Sequence, residues 1–149
     1  MSVRLVGPPQ RAGLPAVDTR RLLGRARRVL RALGHARSEL SVALVDDVEI
    51  RALNASWRGK RRATDVLAFS LLEGEGAEHR GSLLGDVVIS VETARRQARA
   101  RHRALDDELL RLLIHGTLHL LGFDHVRDDE AARMRAEERR VRREVGTGD

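Results

Sequence analysis

Apolar and polar residues alternate in four short stretches of the chain, and a period of two is typical of β-strands. The alternation is shortest near the N-terminus, where Val3 and Leu5 precede the turn-forming Gly7, Pro8 and Pro9. It recurs at residues 39–45, 64–69 and 83–89. The sequence therefore predicts four strands.

Five other segments repeat apolar residues every three or four positions, as amphipathic helices do. The predicted helices cover residues 18–33, 46–57, 90–98, 106–122 and 128–145. The apolar residues of the second helix are Val48, Ile50, Leu53 and Trp57. In the third helix Val91, Ala94 and Ala98 are expected to face inward. In the first helix the arginines are expected on the remaining, solvent-facing surface.

Strands that alternate with helices favour an α/β (or α+β) fold. We expect a single domain over residues 1–149, with a small mixed sheet of about four strands covered by about five helices. An antiparallel edge strand is compatible with this pattern, and residues 146–149 are expected to be a disordered tail.

Composition limits the chemistry. The chain contains no cysteine, which excludes disulfides, zinc–thiolate sites and a cysteine nucleophile. Aromatic residues make up only 2%, so the core must be aliphatic. No apolar run approaches the roughly 20 residues that cross a bilayer, and no signal-peptide stretch follows the N-terminus. These features predict a cytoplasmic protein with no membrane contact.

The formal net charge is +6, and Lys60 is the only lysine among 28 basic residues. A basic, arginine-rich surface attracts phosphate-bearing partners, because the guanidinium fork matches phosphate oxygens. Basic residues concentrate in the first predicted helix, between Arg58 and Arg62, and between Arg95 and Arg103. Each group is either a nucleic-acid contact or a solvated face.

Three histidines are the main candidates for chemistry. His115 and His119 are four residues apart and would share one helix face, and Gly122 can turn the chain so that His125 approaches them. Three neutral imidazoles with a vacant fourth position are the ligand set of a catalytic zinc ion. The alternative for any one of them is an ordinary hydrogen-bonded histidine. His35, His79 and His102 have no such spacing and are expected at the surface.

The spacing equals that of the metzincin zinc proteases, H-E-x-x-H-x-x-G-x-x-H. Gly116 stands where those enzymes carry the general-base glutamate, so peptidase chemistry is disfavoured. Glycine also lowers helix propensity by about 1 kcal/mol relative to alanine. We therefore expect a steric reason for Gly116, such as the close approach of substrate or of another backbone.

Three blocks of the sequence match motifs of one known family. The segment from His115 to His125 matches the pattern H-G-x-L-H-L-x-G-[YF]-D-H. Residues 53–69 are similar to L-N-x-x-[YW]-R-x-K…T-D-V-L-[SA]-F, and residues 84–90 to L-G-D-[IV]-x-I-S. By these three blocks the chain resembles the YbeY-type endoribonucleases, the bacterial 16S rRNA maturation factors. Ala63 departs from the proline that usually precedes the Thr-Asp pair. That substitution affects the rigidity of one turn.

The resemblance implies a zinc-dependent endoribonuclease that cleaves single-stranded RNA during rRNA maturation and ribosome quality control. Its zinc ligands would be His115, His119 and His125, with Arg58 contacting the scissile phosphate. Lys60, Arg61 and Arg62 are further candidate RNA contacts. Asp124 either orients a ligand histidine or caps the turn, and Asp86 either orients a ligand or is a structural hydrogen-bonding group. Asp65 is expected to be a turn residue or the start of a strand rather than to act in catalysis.

Several points stay open at the level of the sequence. The general base is unassigned, and metal hydroxide, another carboxylate and the RNA 2′-hydroxyl are all candidates. Nickel, copper and iron also suit three imidazoles. A ribosome-assembly factor with a mainly structural metal is the second hypothesis, and a zincin-type peptidase is the third. The expected partners are RNA and the small ribosomal subunit or its proteins.

Overall fold

The computed structural model describes residues 3–59, 64–70, 82–124 and 126–146. Within these ranges the strands are β1 (Val3–Val6), β2 (Glu39–Val45), β3 (Val66–Ser70) and β4 (Leu83–Ser90). The helices are α1 (Thr19–Ala32), α2 (Asp47–Arg58), α3 (Val91–Ala100), α4 (Leu105–Leu120) and α5 (Asp128–Val145). The predicted kinds and order of elements are confirmed for these residues. The polar segment 73–81 lies outside them.

The four strands form one sheet in the order β1-β2-β4-β3. β1, β2 and β4 run parallel, whereas β3 pairs antiparallel with β4. Val42 of β2 is opposite Val87 of β4, and Leu44 is opposite Ile89, so these side chains point to the same face. The sheet is therefore mixed, with its antiparallel strand at one edge.

Helices α1, α3 and α4 cover that face with an aliphatic core. Members of this core are Leu22, Ala26 and Leu30 of α1, Val91 and Ala94 of α3, and Leu109, Leu112 and Leu113 of α4. α5 packs farther out, where Met134 and Val141 cluster with Val29 of α1 and Ile114 of α4. α4 is consequently enclosed between the sheet and α5.

The opposite face of the sheet is covered by α2, through Ile50 packed with Val45, Leu67 and Val88. Two other apolar residues of α2, Val48 and Trp57, do not join this core and are 75% and 71% exposed. Val48 lies on the side of α2 away from Ile50. Trp57 meets Phe69 edge to face, with ring centroids 6.2 Å apart, at the rim of the covered area.

One arginine of α1 is in the core rather than on the predicted surface. Arg25 is 1% exposed, because its position three residues after Leu22 and four before Val29 falls on the apolar stripe of the helix. Its Nη1 donates to the backbone oxygen of Asp106 at 3.2 Å and to Asp107 Oδ1 at 3.3 Å. The buried charge therefore joins α1 to the first turn of α4.

Some predicted boundaries shift by one or two residues. α4 begins at Leu105, and Ala104 is its N-cap residue. The acidic residues Asp106, Asp107 and Glu108 therefore lie within the first turn of the helix. β3 begins at Val66, whose N–H donates to Asp65 Oδ1 at 2.8 Å. Gly146 is the C-cap of α5, and residues 147–149 lie outside the described ranges.

No helix among the described residues has the length and apolar character needed to cross a membrane.

Asp47 connects the start of α2 to the start of α3. Its Oδ1 accepts hydrogen bonds from Ser90 Oγ at 2.5 Å and from Thr93 Oγ1 at 2.7 Å, and its Oδ2 lies 2.9 Å from Arg96 Nη2. Burial by itself raises the pKa of this carboxyl. The hydrogen bonds and the charge of Arg96 outweigh burial and hold the pKa below the ordinary value of 3.8.

Asp47→Asn keeps the side-chain shape and one acceptor but removes the charge. We expect it to lower the free energy of unfolding by about 1 kcal/mol at neutral pH. Because the folded-state pKa lies below the unfolded-state pKa, the charge stabilises fully above about pH 4 and loses this effect as the pH falls further. Urea unfolding of both proteins across this range checks it. A difference that does not change with pH would contradict the role of the charge.

Candidate metal centre

Two of the three predicted ligand histidines lie together on α4. His115 and His119 project from the same face of the helix, as their spacing predicts. Their Nε2 atoms are 3.2 Å apart, and the rings meet edge to face with centroids 4.7 Å apart. Both side chains are half-buried. They are therefore held by neighbouring elements and still reach solvent.

The separation of the two nitrogens fits a shared metal ion. Two imidazoles bound tetrahedrally to one zinc ion, with Zn–N distances near 2.0–2.1 Å, place their nitrogens about 3.3 Å apart. The same distance fits a hydrogen bond between one protonated and one unprotonated ring nitrogen. Among the described residues, no group of three His, Asp or Glu side chains can hold a metal. A metal at this pair needs a third ligand from elsewhere in the chain.

The third predicted ligand, His125, lies outside the described residues. Asp124, the residue before it, is half-buried and borders a cavity of about 250 Å³. The other residues around this cavity are Leu121, Gly122, Phe123, Glu130 and Arg133. The cavity lies between the end of α4 and the start of α5, at the turn that leads to His125.

The turn itself has the geometry that the sequence predicts. Gly122 has a φ of +96°, in the left-handed region that glycine adopts without strain. Its N–H donates to His119 O, and the Phe123 N–H donates to Leu118 O, both at 3.1 Å, which is the Schellman pattern of helix termination. Phe123 packs against the cluster that contains Leu118. The chain therefore reverses directly after His119, anchored by Phe123.

Glu138 of α5 is a residue that the sequence analysis missed. Its Oε1 lies 3.5 Å from His115 Nδ1, the ring nitrogen on the side away from His119. A carboxylate in this place favours a proton on Nδ1 and leaves Nε2 unprotonated, as metal ligation requires. The local pattern contains no signal for this contact, because Glu138 is one of many charged residues on an amphipathic helix.

Gly116 has a steric role that differs from the expected one. A Cβ at this position would lie 2.8 Å from Val87 Cγ1 and 3.2 Å from Val66 Cγ2. The expected close approach of substrate or of another backbone is therefore replaced by side chains of β3 and β4. Glycine lets α4 lie close to the sheet at the level of the two histidines.

Asp86 lies on the other side of the sheet. The neighbouring Val87 points toward Gly116 of α4, so the side chain of Asp86 points to the opposite face. It borders an open cavity together with Ser41 and Arg4. The sheet separates Asp86 from His115 and His119, so among the described residues it does not contact a predicted ligand. Asp65, in contrast, lies directly before β3 and accepts a hydrogen bond from Gln97 Nε2 at 3.3 Å.

Arg58 is the last residue of α2, and Gly59 caps the helix in the left-handed conformation. Lys60, Arg61 and Arg62 lie outside the described residues. The end of α2 is beside β3, because Trp57 contacts Phe69. The next residue of β3, Ser70, donates its hydroxyl to the backbone oxygen of Leu120 at the end of α4, at 3.2 Å. The ends of α2 and α4 therefore flank the same edge strand.

The chain is similar to known proteins over most of its length. Residues 15–146 match the family model described as Endoribonuclease YbeY. The chain is 51% identical over 146 residues to Endoribonuclease YbeY of Anaeromyxobacter sp. (strain Fw109-5), covering 98% of this chain and 73% of that protein. It is 44% identical over 127 residues to Endoribonuclease YbeY of Geobacter sulfurreducens, covering 84% and 85%. The solution structure of TM1509 from Thermotoga maritima is similar, with a TM-score of 0.66, 27% identity, and coverage of 96% and 88%.

Gly116→Ala tests the close packing of α4. Alanine gains about 1 kcal/mol in helix propensity, but its methyl group must displace Val87, so we expect a net loss of about 1–2 kcal/mol in the free energy of unfolding. Denaturant unfolding measures this change. Combining the substitution with Val87→Ala should reduce the loss caused by the added methyl group, because the obstructing atoms are then absent.

Gly24→Ala in α1 is the matched control. A Cβ at Gly24 meets no atom within 4 Å, so the same substitution should stabilise the protein by roughly 0.5–1 kcal/mol. If Gly116→Ala stabilises the protein as Gly24→Ala does, the close packing has no energetic importance.

Proposed function

The chain belongs to the endoribonuclease YbeY family and is an endoribonuclease, and on this premise we propose that it hydrolyses single-stranded RNA with a zinc ion held by His115, His119 and His125. The observation that carries the proposal is the 3.2 Å separation of two ligand-type nitrogens on one face of α4. The Schellman turn after His119 supports the third ligand, because it reverses the chain three residues before His125.

The chemistry that zinc supplies, when bound with an open position, is polarisation of a phosphoryl oxygen and a lowered pKa of water. The protein's own part is to hold the histidines in the required tautomer. Glu138 keeps a proton on His115 Nδ1, so that Nε2 presents its lone pair beside His119. Because Gly116 has no side chain, α4 packs directly on the sheet, and this contact positions both rings relative to the sheet.

Arg58 has the second role in the proposal. A guanidinium can hold two oxygens of the scissile phosphate and stabilise the negative charge that develops during hydrolysis. The position of Arg58 supports this role, since the end of α2 and the end of α4 lie on either side of β3. Lys60, Arg61 and Arg62 follow directly in the chain and would extend the basic surface along the RNA.

The proposed substrate is ribosomal RNA, with the 3′ end of 16S rRNA as the site of maturation, in the cytoplasm and in contact with the small ribosomal subunit. The support for this is the sequence resemblance and the net charge of +6, which favours binding to polyanions. The peptidase alternative is weakened further by the packing of Gly116. A glutamate there would have to displace Val66 and Val87 rather than reach the histidine pair.

His119→Ala tests the metal and the enzymatic role together. We expect loss of most bound zinc and at least a hundredfold loss of RNA cleavage, with the fold retained. Glu138→Gln should retain zinc but weaken its binding about tenfold, since only the charge facing Nδ1 is removed. Elemental analysis, zinc titration and cleavage of a single-stranded RNA are the measurements.

His102→Asn provides the control, because His102 is exposed and has a positive φ that asparagine also adopts. It should change neither zinc content nor cleavage. Full nuclease activity in His119→Ala would refute the metal-dependent mechanism. Zinc binding without RNA cleavage in the wild-type protein would favour the assembly-factor alternative.

Arg58→Glu tests the phosphate contact. We expect unchanged zinc content and thermal stability but a loss of cleavage of about a hundredfold or more, because a favourable charge at the scissile phosphate becomes repulsive. Arg51→Glu is the matched charge reversal, at an exposed position about 10 Å earlier along α2. An equal loss in both variants would indicate general electrostatics and contradict a specific role for Arg58.

A further inference from the structure

A second basic feature lies between α4 and α5, one helical turn from His115. It is a cavity of about 170 Å³ that we call the arginine pocket. Its lining consists of Arg111 and Ile114 from α4 and of Arg135, Glu138, Arg139 and Arg142 from α5. The spacing of the α5 residues places them on one side of that helix.

The charges of the pocket are only partly balanced. Arg111 is paired with Glu108, to which its Nε donates at 3.0 Å. Glu108 is fully buried and also has Arg101 and Arg103 within 3.7 Å, so one carboxylate faces three guanidinium groups. Positive charge therefore exceeds negative charge behind the pocket.

The remaining arginines of the pocket have no directly paired carboxylate in the described part of the chain. Arg135, Arg139 and Arg142 make no side-chain hydrogen bond or ion pair with another described residue. This contrasts with Arg140 on the far side of α5, which is paired with Glu137 and Glu144. The carboxylate in the pocket lining is Glu138, which lies beside His115.

Arg142 shows the consequence of this imbalance. Burial lowers the pKa of its guanidinium, and the positive charges of Arg103 and Arg111 add to this effect, which the negative charges of Asp107 and Glu108 oppose without reversing it. A half-buried cation among other cations is costly unless an anion joins it. The planar donors of several arginines also match the oxygens of a phosphate group in shape.

We propose that the arginine pocket binds a backbone phosphate of the RNA substrate, close along the strand to the phosphodiester at the histidine pair. This inference rests on the proposed function. Two links join the pocket to the histidines. Arg111 is four residues before His115, about 6 Å along α4, and Glu138 both lines the pocket and faces His115. RNA seated in the pocket would thus be directed toward the candidate metal centre.

The test measures RNA affinity as a function of salt. Binding of a fluorescent single-stranded RNA is followed by anisotropy in the His119→Ala background, so that the RNA remains intact. Arg139→Gln combined with Arg142→Gln should weaken binding by about 5- to 25-fold at 0.1 M salt and reduce the slope of log K against log salt by about 0.7–1.4. In protein that retains His119, the combined Arg139→Gln and Arg142→Gln substitutions should raise the KM of RNA cleavage and leave kcat unchanged.

Two variants separate this effect from other causes. Arg139→Lys with Arg142→Lys retains the charges and should keep most of the salt slope, whereas a folding defect would affect both pairs and would appear in thermal unfolding. Arg31→Gln removes an exposed cation from the last turn of α1, outside the lining of the arginine pocket, and should change the affinity by less than about twofold.

The outcomes distinguish the two proposals. If wild-type protein cleaves RNA and the glutamine pair leaves affinity and slope unchanged, the pocket proposal is wrong and the proposed function stands. If Arg31→Gln weakens binding as much as the pair does, the basic surface acts without a specific pocket. If the Arg139→Gln and Arg142→Gln substitutions weaken binding only of RNA that has a 5′-terminal phosphate, the pocket binds that terminal group and not a backbone phosphate. If the pair shows the expected loss but wild-type protein with zinc does not cleave, the proposed function fails by itself.

Discussion

The close contact between α4 and the sheet at Gly116 is the constraint on which the candidate site depends. Without a side chain at this position, α4 can lie directly against Val87 and Val66. His115 and His119 flank this contact point, one residue before and three residues after it. Their distance from the sheet is therefore determined by the packing of two elements and not by the side chains themselves. α5 closes the outer side of α4 and contributes Glu138 behind His115.

The edge strand β3 brings the two halves of the proposed chemistry together. Its side chains alternate, so Val66 faces α4 while Phe69 contacts Trp57 at the end of α2. Ser70 then bonds to the end of α4. A residue that follows Trp57 and a pair of histidines on α4 are thereby placed around one strand, although nearly 60 positions separate them in the chain. The endoribonuclease family and the proposed phosphate-binding role of Arg58 are both compatible with this arrangement.

The distribution of arginines is not uniform. Several of them form ion pairs with the acidic first turn of α4. Arg21 pairs with Asp106 and Arg25 with Asp107. Three further arginines surround Glu108. These contacts serve the fold, including one guanidinium that is fully buried. The arginines between α4 and α5 are in excess of nearby carboxylates. Positive charge that is not balanced by a carboxylate attracts a polyanion, and here it lies next to the histidine pair. Arginines that are already paired with carboxylates contribute little to this attraction.

The sequence alone determined the elements, their order, the Schellman turn at Gly122 and the convergence of His115 and His119. All of these depend on residues within a few positions of one another, where periodicity, glycine and capping residues act directly. Only the tertiary structure decided that Trp57 is exposed, that Arg25 is buried, that Gly116 packs on Val87 and that Glu138 faces His115. The same is true of Asp86, which the pleat directs away from α4. These outcomes depend on how the layers pack, and contacts between distant residues leave no periodic signal in the amino-acid sequence.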